Sequence, residues 1–284
     1  MMKRMNQFIF NFHRPTYSLV GRGYRKLRRQ FESESDKHYR EREVADYLLI
    51  SQTNCGRTWL RILLGRVMQV TYNVEKVNLH YLYSFSELNP NLPSIKAIHE
   101  KYGQFGSYET KKIILLVRDP RDALVSRYHQ HKHEYSSYQD INDFILNSPE
   151  FLSYIEDYNL WRQNKHELAD LLIVRYEDMR ANTQYELTRV LRFLEIEAAP
   201  EIIAAAVEYA SFKNMRSIEM KGSSEVKAGV LRTSAIQSGT LSDQNSLKVR
   251  KGKVGGYKEE LSAEAVTFMD DLVRGQLNSS YGYT

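Results

Sequence analysis

Three times along this chain a short, unbroken apolar run ends in a polar turn and passes into a helical pattern. The runs are Tyr47 to Ile50, Ile113 to Val117 and Leu171 to Val174. Runs of this length without polar alternation mark strands buried on both faces, as in a parallel sheet. After the first, apolar residues recur at helical spacing (Trp59, Leu60, Leu63, Leu64), so a helix should start near Thr58. After the second, Asp119 suits an N-cap and Pro120 the first helical position, where its missing N–H leaves nothing unsatisfied. After the third, "YEDM" is expected to turn, and Thr183 to Leu194 to form a helix with Leu187, Val190, Leu191 and Leu194 on one face. Pro200 to Tyr209 and Ser262 to Leu277 are the remaining predicted helices. The alternation predicts an α/β fold, a mostly parallel central sheet flanked by helices. Such sheets bind ligands at the carboxyl ends of their strands, where all three turns lie.

Bulk properties narrow the function classes. The 284 residues suit one large domain or two small ones; we expect a basic N-terminal extension at 1–43 and a single domain at 44–284. At 42% hydrophobic and 26% charged the chain has the profile of a globular protein with a substantial core. No apolar run approaches the ~20 residues that span a bilayer, so no stable membrane insertion is expected. The single cysteine, Cys55, precludes an internal disulfide and suits a reducing, cytoplasmic setting. A net charge of +5 suits an anionic ligand. The basic leader (Arg22, Arg25, Lys26, Arg28, Arg29) is either a solvated arm or an electrostatic contact. It lacks the interleaved aromatics of a nucleic-acid surface. Glu219 to Val249, rich in Ser, Gly, Thr, Lys and Gln, is expected to be a mobile lid.

The first turn, "SQTNCGRTW", has the form of a P-loop-like strand–turn–helix cradle. A glycine turn entering a helix aims several backbone N–H groups at one point, and the helix dipole adds partial positive charge. Asn54 to Thr58 can thus hold a phosphate through backbone groups plus the Thr58 hydroxyl, or form an ordinary tight turn. The full triphosphate signature is absent: no lysine follows Gly56, where Arg57 stands. The second turn places Arg118 at a strand end and Ser126 eight residues later. Arg118 offers a planar fork for phosphate oxygens, or pairs with Asp119 or Asp122. On the following helix Asp122, Ser126, His129 and His133 share a face. His129 and His133 have the i, i+4 spacing of some zinc sites, without a partnered carboxylate motif; His131 faces elsewhere.

Together these blocks resemble the cytosolic-type sulfotransferases, which move a sulfuryl group from 3′-phosphoadenosine 5′-phosphosulfate (PAPS) to an acceptor. Four blocks match in order: "SQTNCGRTWL", "KKIILLVRDPRDALVSRYH", "LLIVRYEDM" and "RKGKVGGYK". The resemblance implies a phosphosulfate cradle at Cys55, Gly56, Arg57 and Thr58, with Trp59 and Tyr176 on the adenine. It implies a 3′-phosphate site at Arg118, Ser126, Arg250, Lys251 and Gly252. "SFKNM" is similar to the segment whose aromatic, here Phe212, closes over the adenine. "SIKAIHEKY" supplies His99 as general base on a short strand, although Lys96 and His99 are one residue further apart than usual. The implied co-substrate is PAPS, its product PAP, and no metal is expected.

The sequence departs from the family where it matters for rate. The loop lysine that donates to the leaving oxygen is replaced by Asn54. Losing such a donor costs on the order of 10²–10³ in rate. Arg57, Arg61 or Lys96 is expected to substitute, so Asn54 and Arg57 join His99 as catalytic candidates. The alternatives are a non-catalytic PAPS-binding protein, or a nucleotide or adenylylsulfate kinase, which should show the missing loop lysine. "GGYK" replaces the usual Gly-Asp-Trp-Lys, and "KEELSAEAVT" departs from the family's dimer motif, leaving the oligomeric state open. Aromatics near the expected acceptor loops (Tyr81, Tyr83, Phe85, Tyr135, Tyr138) point to a small, partly apolar alcohol, phenol or amine.

Overall fold

The structure is a computed structural model that describes residues 33–75, 77–221 and 249–283. It divides into two units, residues 1–44 and 45–284. In the first, helix α1 (Glu34–Val44) is almost wholly polar, and the Ser33 hydroxyl accepts from the Asp36 N–H at 3.1 Å as its cap. The rest of the basic leader, and the expected lid apart from its first and last residues, lie outside the described residues.

The second unit is built on a four-stranded sheet, all parallel, in the order β2-β1-β3-β4. The strands are β1 (Tyr47–Ile50), β2 (Ile95–Ile98), β3 (Lys112–Val117) and β4 (Asp170–Arg175). β1 has the bounds of the first apolar run, β3 and β4 extend the other two by one and two residues, and β2 is the short strand of "SIKAIHEKY". All four residues of β1 are buried, as an unbroken apolar strand inside a parallel sheet must be. Register pairs Tyr47 with both Ile95 and Lys112, which aligns the carboxyl ends of β1, β2 and β3. After β1 the chain moves to one side for β2 and then crosses to the other for β3. The strand order therefore reverses between β1 and β3, and a crevice opens at their carboxyl ends.

Helix α2 (Arg57–Thr71) follows β1 and buries Leu60, Ile62, Leu63, Leu64, Val67 and Met68. Gly65 lets the chain at Leu79 pass against it; a Cβ there would lie 2.1 Å from the Leu79 carbonyl oxygen. A short helix, α3 (Tyr83–Leu88), precedes β2. Helix α4 (Pro120–Gln130) follows β3 with Asp119 as N-cap, its carboxylate accepting from the Arg121 N–H at 2.9 Å. Then come α5 (Ile141–Asn147) and α6 (Glu150–Gln163). "YEDM" is helical rather than a turn: it opens α7 (Tyr176–Ala181), where Glu177 and Asp178 suit the positive end of the helix dipole. The helices α8 (Thr183–Phe193), α9 (Pro200–Tyr209), α10 (Phe212–Lys221) and α11 (Ala263–Gln276) complete the unit; Ser262 caps the last.

Candidate active site

The crevice between β1 and β3 is a cavity of about 500 Å³. His99, Asn54, Arg57 and every residue proposed for the nucleotide line it except Cys55.

The loop after β1 forms one wall. Asn54 has φ 61° and Gly56 φ 92°, left-handed conformations that Asn and Gly tolerate best. A Cβ on Gly56 would stand 2.7 Å from the Tyr176 ring, so glycine also admits that ring to the loop. Anchors from α6 and α4 hold the turn. Tyr154 Oη donates to the Thr53 carbonyl at 3.0 Å, Arg127 Nη1 to Thr53 Oγ1 at 2.9 Å, and Gln52 Nε2 to the Asp157 carboxylate at 2.5 Å. The Cys55 side chain turns inward, 3.3 Å from Tyr158 Oη, and burial pushes its thiol up to about 12. Cys55 thus offers the cavity no side chain, which corrects any reading of it beyond its backbone.

Asn54 does not point its amide into the loop as a lysine substitute. Its Nδ2 donates to Gln130 Oε1 at 2.6 Å and to Ser126 Oγ at 3.3 Å, tying the loop to α4. Cationic character comes instead from α2. Arg57 and Arg61, one turn apart, face the cavity together. Arg57 Nη1 is buried without a hydrogen-bond partner. Burial and then neighbouring Arg61 push Arg57 down to about 9; burial pushes Arg61 down to about 10. Both stay cationic at neutral pH, and among the described residues neither forms an ion pair with a carboxylate. Arg61 Nε donates to the His80 carbonyl at 2.5 Å. Lys96, the other candidate cation, is not part of the wall; its Nζ lies 5.8 Å from the Tyr81 ring centre.

Arg118 bridges to the far wall. Its Nη1 donates to the Asn54 carbonyl at 3.0 Å and its guanidinium lies 4.6 Å from the Tyr176 ring centre, while its Nε is buried and unpartnered. It bonds neither Asp119 nor Asp122. Asp122 instead accepts from the backbone N–H groups of Gly255 (2.7 Å) and Tyr257 (3.0 Å), clamping the 250–257 segment to α4. That segment brings Arg250, Lys251 and Gly252 to the cavity. Gly252 has φ 60°, and a Cβ there would meet the Phe212 ring at 2.9 Å. Trp59 sits edge-on to Tyr176 at 5.9 Å and donates its Nε1 hydrogen to the Ala210 carbonyl at 2.8 Å; Arg180 lies over its other face.

His99, just past β2, lines the cavity with Nδ1 2.8 Å from the Ser51 carbonyl oxygen. A carbonyl only accepts, so in the neutral ring the proton sits on Nδ1 and the lone pair on Nε2. Gln52, His80, Gln130 and His131 also line the cavity. His131 therefore faces the cavity rather than away from it. The expected aromatics do not line it. Tyr83, Phe85 and Tyr135 are buried in the core, and Tyr81 and Tyr138 pack against it, because the loops fold their apolar faces onto the sheet layers. His133 does not share a helical face with His129, since α4 ends at Gln130.

The anchors Tyr154, Tyr158, Asp157 and Arg127 and the clamp Asp122 were not visible as functional residues in the sequence. The α6 anchors lie about a hundred positions from the loop they hold, and no short motif marks them.

Comparison with known proteins fits this geometry. The sulfotransferase-domain family matches residues 45–280, and the chain belongs to that family: it is a PAPS-dependent sulfotransferase. Cytosolic sulfotransferase 6 of Arabidopsis thaliana is 23% identical over 275 residues, 83% of this chain and 79% of the plant protein. An amine sulfotransferase of Oryctolagus cuniculus is 23% identical over 223 residues, 75% and 68% of the two chains. Among solved structures, retinol dehydratase in complex with androsterone and inactive cofactor PAP superposes with a TM-score of 0.62 at 16% identity, covering 81% of this chain and 80% of that one. A mouse sulfotransferase complexed with PAP gives 0.58 at 22%, covering 82% and 84%. The fold is shared. Among the described residues no helix is long and apolar enough to cross a membrane.

Proposed function

We propose that the protein transfers the sulfuryl group of PAPS to a hydroxyl or amine of a small-molecule acceptor, with His99 as general base. The observation that carries this reading is convergence: loop 52–59, the Arg118 to Ser126 stretch with Arg250 to Gly252, and His99 all face one cavity. The residues fit the nucleotide. Arg57 Nη1 and Arg118 Nε are buried donors that an anion would satisfy. The glycines at 56 and 252 make room for the rings of Tyr176 and Phe212, which with Trp59 offer aromatic surface to a purine.

In this reading the backbone of Cys55 to Thr58 and the Thr58 hydroxyl hold the phosphosulfate, whose activated sulfuryl is the group transferred. Arg118, Ser126, Arg250, Lys251 and Gly252 hold the 3′-phosphate. Charge grows on the departing phosphate oxygen, by analogy with phosphoryl transfer, and a preorganised cation there lowers the barrier. Arg57 supplies it, because Asn54 is engaged with Gln130 and Ser126. His99 Nε2 accepts the acceptor's proton while Ser51 fixes the tautomer. Retinol, androsterone and amines in the names of relatives support a small hydroxyl or amine acceptor. The cytosolic relatives support a cytoplasmic setting.

A second reading, binding of PAPS without transfer, is favoured by the missing loop lysine and by the engagement of Asn54. Incubation with radiolabelled PAPS and a metabolite extract separates the two. A sulfated product is expected; tight PAPS binding with no product from hydroxyl or amine acceptors would sink the enzyme reading of this site.

A further inference from the structure

The cations proposed for the 3′-phosphate are already gripping an anion. Arg250 makes a two-pronged pair with Glu260, Nη1 to Oε2 and Nη2 to Oε1, both at 2.8 Å. Lys251 Nζ donates to the same carboxylate at 3.0 Å. His129 Nε2, one turn along α4 from Ser126, stands 2.7 Å from Oε2. Glu260 is mostly buried and lines the same cavity as Arg118 and Ser126. Burial alone would push its carboxyl up, but the bonds from Arg250 and Lys251 outweigh it and hold the group at about 2. Glu260 is therefore anionic at any working pH.

Two anions cannot both take this grip. The fork of Arg250 presents one pair of parallel N–H bonds, and here a carboxylate fills it. A phosphate arriving beside an ionised, largely desolvated carboxylate would meet repulsion rather than a vacant cationic pocket. The contrast with Arg57 at the β1 loop, whose buried Nη1 lacks a partner, indicates that the two ends of the cavity treat anions differently.

We propose that Glu260 is an internal anion of the 3′-phosphate subsite, displaced by the nucleotide's 3′-phosphate and returning as it leaves. This rests on the reading of Arg250 and Lys251 as 3′-phosphate residues. Glu260 occupies Arg250 and Lys251 between turnovers, lowers affinity for 3′-phosphorylated adenine nucleotides and promotes release of PAP. It is a specificity residue, since it sets how much the 3′-phosphate contributes to binding.

Titration calorimetry with PAP and with adenosine 5′-monophosphate, which lacks the 3′-phosphate, tests this. Glu260→Gln keeps the shape and removes the charge. Its PAP affinity should rise about tenfold or more, the scale of one charge-assisted contact. Its affinity for the monophosphate should stay within about twofold, because no 3′-phosphate meets the vacated charge. Glu260→Asp keeps the charge but shortens the reach, and should raise PAP affinity by a smaller factor. This gives a readout if the Gln variant folds poorly. Unchanged or weaker PAP binding in both variants would overturn the proposal and leave Glu260 a mere buttress of Arg250. A gain for PAP matched by an equal gain for the monophosphate would overturn it too. If no form of the protein, wild type included, binds PAP, the nucleotide reading itself falls, and this proposal with it.

Discussion

The two ends of the cavity are both cationic, yet they differ in how that charge is balanced. At the β1 loop, Arg57 and Arg61 lean together without a carboxylate among the described residues, and Arg57 Nη1 is an orphan. At the opposite end, Arg250, Lys251 and His129 share one carboxylate, Glu260. An unbalanced, partly desolvated cation is destabilising until an anion arrives, so it favours binding and catalysis over stability. A cation already paired with a carboxylate is stable empty and must exchange one anion for another. Charge in a binding site therefore says little until its counter-charge is located.

That contrast can be broken in several places. The largest effect is expected at His99, where His99→Ala should lower turnover by about 10²–10⁴ while leaving PAP affinity intact; a parallel loss of PAP binding in calorimetry would remove it as the base. Next is Arg57→Met, expected to lower kcat by about 10²–10³ as a leaving-group cation is lost. The same change should hold or raise the melting temperature, because it removes a charge that has no partner. Arg250→Met should do the reverse to stability, costing about 2 kcal/mol by leaving the part-buried Glu260 carboxylate without its two-pronged partner, read from urea unfolding. If both arginine variants shifted stability in the same direction, the difference between the ends would be refuted.

Smaller effects sharpen the picture. Asn54→Lys restores the family lysine but places it at φ 61°, and it should raise the transfer rate by less than about tenfold if Arg57 already compensates. A gain near a thousandfold would show that Arg57 does not substitute. The smallest expected effect is at Cys55. Burial raises its thiol pKa to about 12, so its reactive thiolate is scarce well below that pH. Iodoacetamide at pH 8 should leave it unmodified until the protein is denatured, as followed by mass spectrometry.

Much of this was legible beforehand, and the reason is local. Strands β1, β3 and β4, the Asp119–Pro120 helix start, the glycine turn and the eight-residue step from Arg118 to Ser126 depend on residues close in sequence. They could be read from apolar runs, capping chemistry and spacing. The loop aromatics differ from expectation because an apolar side chain in a loop does not announce whether it faces a ligand or the core. Tyr83, Phe85 and Tyr135 face the core. "YEDM" reads as a turn in sequence because a six-residue helix offers too little periodicity to recognise. His131 faces the cavity against expectation because α4 stops at Gln130, which ends the helical spacing there.

The sequence by itself determined the parallel α/β layering, the location of the anion cradle and the absence of a lysine from it, all of which follow from neighbours along the chain. Only the tertiary structure decided what the missing lysine means. It brought Gln130 to Asn54 across 76 positions, set Arg57 beside Arg61 on the cavity wall, and closed Glu260 onto Arg250 and His129. Electrostatic partnership depends on distance and burial in space, and neither is encoded in the spacing of one short motif.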